Sequence, residues 1–351
     1  HYQGVKDNQK AKELFRSTGM LYDWQILGKF DNTSGGGFHK DWGAVEKAST
    51  AEKFTNELGA EVHWFYPGEN QSDGWFYPTH HLDSPSSITY AQCFVNSQAT
   101  LDAILNIGVS GSIKAWINDA LVISIEDERN TGIDVYATQI KLNKGYNRIL
   151  LQLGDGEVSS ANFYVRFTDN NGHPIKGLTH THTYNKYNKG RNNKSLHINE
   201  FYPEKELKHF IQENQENVLY TYMLVEQYLL NDKTDEAMEL LFLLLTRFPT
   251  SSLLHSKLSE AFSRSKNHTY ATQEMEAILS YDPDSFAGLT MLIGIAQESN
   301  KVNEVKKLYE KLIQLYGESP YSIRIDQWIA SQENNLQKRQ SNMRNIPRAL
   351  R

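Results

Sequence analysis

Between residues 218 and 319 the apolar positions recur with a step of 34. Leu224, Leu258 and Leu292 keep that step, as do Leu241, Met275 and Tyr309, and Leu244, Ile278 and Leu312. Ala237, Ala271 and Val305 put a short side chain at one fixed point of each unit, and Pro249 and Pro283 interrupt the pattern at another. A fixed period in this range means stacked supersecondary units, none of which can bury its apolar face alone. The pattern predicts an α-helical solenoid over 202–351 with helical pairs at 218–251, 252–285 and 286–319. It opens at Tyr202-Pro203, where Pro suits a first helical turn and Glu204 and Glu206 suit the positive end of the helix dipole. A capping helix over 320–345 follows Pro320, with Ile325, Trp328 and Ile329 covering the last unit and a basic, polar end behind them.

Upstream the period changes to two. From residue 20 to about 170, segments rich in Val, Ile, Tyr, Phe and Trp alternate with Gly, Asn, Asp and Ser clusters, which predicts strands. They fall at 22–27, 60–66, 74–77, 88–96, 101–108, 112–117, 120–125, 133–141, 146–153 and 161–168. With no helical insert after residue 60, the succession implies an antiparallel sandwich over 20–172. Ser110-Gly111 and Asn118-Asp119 read as two tight turns of a three-stranded meander. Residues 7–18 predict a short helix stopped by Gly19, so that 1–19 form a lid on the sandwich. The stretch 173–201 is polar, locally basic and without period, which predicts a linker. Trp116 falls on the more polar face of its strand by parity. The apolar run Ala120–Ile125 beside it and the need of the lid for a docking surface predict that both faces are covered there.

Composition narrows the classes. A chain of 351 residues suits two domains, and 39% hydrophobic residues with 19 Tyr, 15 Phe and 6 Trp are enough for real cores. A net charge of −6 gives no electrostatic footprint for nucleic acid. The single cysteine, Cys93, sits inside an apolar alternation and reads as a buried, inert thiol. No run reaches the roughly 18 apolar residues of a membrane span. The start at His1 rather than Met is expected to follow a removed signal peptide, which would place the protein in an exported, periplasmic or outer-surface setting.

Candidate chemistry is sparse. His180-Thr-His182 has a metal-compatible spacing, but no third and fourth ligands stand nearby in sequence, so it reads as a solvated linker; His80-His81 is read as solvated for the same reason. Asp31-Asn32-Thr-Ser-Gly-Gly-Gly37 is oxygen-rich enough to suggest a structural calcium, with a plain turn as the simpler reading. No cofactor is expected otherwise. The run Val62–Pro78 is dense in aromatics, and Asp73, Trp75 and Tyr77 are its candidate glycan platform, while Trp64 and Phe76 fit a buried alternation. There is no Gly-x-Ser-x-Gly elbow and no His-Glu-x-x-His helix. Acidic residues of the helical half, such as Glu236, Glu274 and Glu304, read as solvated helix positions, so no enzyme is expected.

The helical half resembles three tetratricopeptide repeats, on the step of 34 and the short residues Ala237, Ala271 and Val305. The first half resembles the galactose-binding-like jelly rolls of bacterial secreted glycosidases and cell-envelope proteins. The residues that carry this are Trp24, Gly28-x-Phe30-Asp31-Asn32, Gly37-Phe38, Gly108 to Asn118, Gly145 to Leu153 and Phe163 to Asp169. Bacterial proteins with this pairing often continue into a transglutaminase-like domain, which none of these residues supplies. In the repeat family the first helix of each unit lines a groove. Carried onto this chain, that face holds Tyr222, Glu226, Ser256, Glu260, Arg264, Thr290 and Gln297, a polar mixture that suits a polar or charged guest segment. The resemblance thus implies a non-catalytic scaffold of the bacterial cell envelope that binds a protein or peptide. The alternatives are a carbohydrate-binding accessory protein that uses the sandwich, and a hydrolase fragment whose catalytic domain lies outside this chain.

Overall fold

A computed structural model describes residues 7–68, 73–82, 86–156, 161–190 and 197–333. It divides into two compact units, one from Asn8 to Lys205 and one from Glu206 onward.

The first unit is a β-sandwich with one helix, α1 (Asn8–Ser17), at its start. Its strands are β1 (Gln25–Asp31), a separate short pair β2 (Phe54–Thr55) and β3 (Glu61–Val62), then β4 (Ser87–Ser97), β5 (Leu101–Ile117), β6 (Ala120–Asn130), β7 (Tyr136–Leu142), β8 (Gly145–Asp155), β9 (Asn162–Thr168) and β10 (Thr179–Thr181). All pairings are antiparallel. The first half of β5 runs between β7 and β9, and its second half between β6 and β8. Beyond β8 lies β4, whose far edge is shared by β1 and, further along, β10. One ladder therefore folds into two layers through β5. Alternation sends Ala91, Cys93 and Val95, Ile113, Ala115 and Ile117, and Ile149, Leu151 and Leu153 into a core that they share with Leu105, Ile107, Phe163 and Val165. Burial pushes the Cys93 thiol well up, as befits an inert core cysteine.

Four expectations change here. Ser110-Gly111 is no turn but the middle of a continuous 17-residue strand. Gly111 stands at φ +120°, the register slips between it and Ile113, and a Cβ there would meet the Gly154 carbonyl at 2.4 Å. A bulge bends the strand from one layer to the other without ending it, and its local composition imitates a turn. The true turn is Asn118-Asp119, at φ +52° and +70°, the left-handed pair of a two-residue hairpin. Residues 74–77 form no strand; Phe76 makes a single bridge to Phe163.

Trp116 is covered, at 9% exposure, though not by the lid helix. It joins Leu27, Phe30, Ile88, Tyr90 and Leu150 on the outer face of the β4–β8 layer, closed over by Ala44, Phe54 and Trp64. The cover is thus the irregular segment 37–66. Helix α1 docks elsewhere: the Thr18 hydroxyl lies 2.6 Å from that of Tyr164, and Phe15 and Met20 crowd Gly74.

The expected linker is, where described, part of the sandwich. β10 extends β4, the Tyr187 hydroxyl donates to Asp119 at 2.9 Å, the Gly190 amide donates to the Asn118 carbonyl, and Ile198 and Phe201 pack on the core. Its polar side chains find partners at strand ends far away in sequence.

The second unit is a solenoid of helical pairs. After α2 (Tyr202–Glu213) come α3 (Val218–Leu230), α4 (Thr234–Arg247), α5 (Ser252–Arg264), α6 (His268–Tyr281), α7 (Phe286–Glu298), α8 (Val302–Tyr316) and α9 (Pro320–Gln332). The step of 34 governs the helix ends as well as the core. Asn217, Ser251, Ser285 and Ser319 cap α3, α5, α7 and α9, each side chain accepting a backbone N–H. Asp232, Lys266 and Asn300, at φ +50° to +61°, make the left-handed step between the two helices of each pair. Ala237, Ala271 and Val305 are buried, as are Leu244, Ile278 and Leu312, whereas Met275, Leu292 and Tyr309 are half-buried. Helices α2 to α5 share one apolar core and α7 to α9 another. Ile325 and Ile329 of α9 are buried in the latter with Trp328 against them. The expected helix continued to 345, and residues from 334 lie outside the described ones.

Candidate partner-binding face

The first helices α3 and α5 bring four of the expected groove residues together. The Tyr222 hydroxyl donates to Glu226 at 2.5 Å. Lys257 of α5 donates to Glu226 of α3 at 3.1 Å and to Glu260 at 3.2 Å. Arg264 donates to Glu260 at 2.7 Å, to Asp232 at 2.6 Å and to the Leu229 carbonyl at 2.8 Å. Lys257, Glu260 and Arg264 stand three and four residues apart, so the helix itself lines them up on one side. The links to Glu226, Leu229 and Asp232 tie neighbouring repeats. Burial alone would raise Glu260, but hydrogen bonds from Arg264 and Lys257 hold it below its ordinary value. Burial likewise works against the Lys257 ammonium, and Glu226 and Glu260 more than offset it. The Tyr222 phenol is pushed up by burial and by the Glu226 carboxylate.

Lys257 and Asp232 also belong to this row, outside the groove positions of the family; the spacing 257, 260, 264 signals Lys257, whereas Asp232 joins through Arg264, 32 residues away, and has no local signal. The row stops at α7, where Gly294 occupies the position of Glu226 and Glu260. Ser256, Thr290 and Gln297 are half-buried. Thr290 turns its hydroxyl to the Ala287 carbonyl at 3.0 Å, and its own carbonyl accepts from Tyr321 at 3.1 Å.

The glycan candidates are neighbours with protein partners of their own. The Asp73 carboxylate accepts the Trp75 amide at 3.1 Å and is hydrogen-bonded to Tyr77, whose phenol is pushed up first by burial and then by that carboxylate. Trp75 is half-buried, its ring edge against the Gly108 backbone, with Tyr164 at 6.0 Å. The Tyr77 ring is stacked on His80 at 4.9 Å. Trp64 and Phe76 are core, at 4% and 2% exposure. The calcium candidate Asp31 spends its carboxylate on the Thr33 amide at 3.2 Å and hydroxyl at 2.5 Å, which closes the turn and lowers its pKa. His180 and His182 have separate partners, the Tyr22 amide and the Asp23 carboxylate. Among the described residues no group of three or more His, Cys, Asp or Glu is placed to hold a metal ion, and no helix is long and apolar enough to cross a membrane.

No family model and no curated protein matches the chain. Among solved structures it is similar to MamA, at 18% identity over 42% of this chain and 84% of that one, with a TM-score of 0.28. A beta-glucosidase from Kluyveromyces marxianus shares 15% identity over 41% of this chain and 16% of the other, with a TM-score of 0.26. An anti-sigma factor domain-containing protein from Clostridium clariflavum shares 11% over 49% and 50%, with a TM-score of 0.27. Likenesses this distant assign no activity to the chain.

Proposed function

We propose that this protein is a non-catalytic scaffold of the bacterial cell envelope that receives a polar segment of a partner protein on the α3–α5 face of its solenoid. The row Tyr222, Glu226, Lys257, Glu260 and Arg264 carries the reading. Exposed ion pairs contribute little to stability, yet five polar groups held in fixed order present alternating charges that a complementary segment can engage by exchanging partners. The envelope setting rests on the resemblance of the paired domains to exported bacterial proteins. A photo-reactive residue in place of Ser256 tests the reading in envelope extracts, against the same residue in place of Glu276 on the exposed side of α6. One discrete adduct specific to position 256, weakened when ionic strength rises from about 0.15 M to about 0.5 M, is expected. Equal labelling from both positions would remove the assignment to this face.

A further inference from the structure

A cleft of about 300 Å³ opens in the first unit between the end of α1 and β10, floored by Leu21, Phe167 and Leu178 and edged by Arg16, Tyr22 and His180. Its size is at the lower end for small-molecule sites, and its wall joins an apolar floor to a comparable share of polar surface. We propose that it binds a small apolar carboxylic acid. The hydrocarbon body lies on the floor and the carboxylate sits between the Arg16 guanidinium and the His180 ring.

The His180 Nε2 accepts the Tyr22 amide hydrogen at 3.2 Å, so in the neutral ring the proton is on Nδ1. No acceptor for that Nδ1–H stands among the described residues. Burial holds the ring neutral, with a pKa near 4 that Asp23 raises and Arg16 lowers, so the donor is present and uncharged at neutral pH. The Arg16 guanidinium lies over the Tyr22 ring at 4.2 Å, and Tyr22 meets His180 edge-on at 4.3 Å. Arg16 and His180 both meet Tyr22 and both edge this cleft, so one carboxylate held there can accept from both. Asp23 is near enough to act on His180 and repels a second negative charge, which favours a monoanion over a phosphate ester. The site is in the sandwich and stands apart from the solenoid reading.

Titration of the whole chain, carrying ¹³C-labelled histidine, with 3-phenylpropionate tests this through the His180 ring signal. A ligand of about 11 non-hydrogen atoms is expected to saturate in the low-millimolar range. Arg16→Gln, an exposed change on α1, is expected to weaken binding about tenfold, as is the neutral amide of the same acid, while phenyl phosphate binds more weakly than the carboxylate. A shift that stays linear to about 20 mM, an affinity unmoved by Arg16→Gln, or an amide that binds equally well would overturn the proposal. Tighter binding of phenyl phosphate would overturn the choice of a carboxylate.

Discussion

Arg148 lies fully buried on the outer face of β8 and joins four parts of the chain that share no sequence neighbourhood. Its Nε donates to Gln92 at 2.9 Å, one terminal nitrogen to the Val45 carbonyl at 2.7 Å and to Asp119 at 3.0 Å, and the other to the Ala44 carbonyl at 2.7 Å. The planar fork thereby pins the irregular cover 37–66 to the sheet. Lysine keeps the charge but offers one ammonium, which leaves buried carbonyls without donors. Arg148→Lys is expected to destabilise the sandwich by about 2–4 kcal/mol in urea unfolding; an unchanged midpoint would show that the cover is held by its apolar contacts alone. Asp155 gives a pH-dependent counterpart. Burial, with Glu128 close by, raises its pKa from 3.8 to about 6. Between those values the folded state holds a proton that the unfolded state has released, so its contribution to stability falls as pH rises and is fully lost above 6. Asp155→Asn, which cannot ionise, is expected to raise the melting temperature at pH 7 and to lose that advantage near pH 4. A gain of equal size at both pH values would contradict the shifted pKa.

At the scale of elements, the repeat is where sequence and structure agree most closely. Ala271 is at 4% exposure, and its carbonyl takes the Ser259 hydroxyl at 3.0 Å, so the two helices of the second pair meet closely there. Ala271→Arg forces a long charged side chain into that contact and is expected to destabilise the solenoid by roughly 3 kcal/mol or more, read from its thermal transition. An unmoved transition would mean that the register is wrong. The register was legible because apolar positions must face the next unit, which fixes their type. The left-handed residues kept the same step unnoticed because Asp232, Lys266 and Asn300 share a backbone conformation and not a side-chain chemistry. In the sandwich the alternation disclosed the strands but not the cover, since 37–66 has little regular structure and hence no period. It also hid the role of 179–190, whose partners Asp23, just before β1, and Asp119, in the turn between β5 and β6, are remote in sequence. The groove was visible in part: Tyr222, Glu226, Glu260 and Arg264 came from the family pattern. The link from Lys257 to Glu226 emerges only once α3 and α5 stand side by side, because the two are 31 residues apart.

For the whole molecule, the two units bring different physics to one chain. The sandwich is held by long-range ladders across β4, β5 and β8 and by two cores, one on each face of that layer. The solenoid is held by nearest-neighbour packing, in which each helix meets those next to it in sequence and in the stack. Two compact units with separate cores are expected to unfold in two calorimetric transitions rather than one. Trp116→Ala provides the assignment. The side chain is 9% exposed among Leu27, Phe30, Tyr90, Trp64 and Leu150, so its removal leaves a cavity under the cover and is expected to cost about 3–5 kcal/mol. That cost should lower one transition by several degrees and leave the other where it was, and Ala271→Arg should do the reverse. A single transition that both substitutions shift together would show that the units are energetically one body. Independent units would in turn let the cleft beside α1 and the charged face of α3 and α5 be tested one at a time in the full chain, because loss of either unit's fold would not remove the other's site.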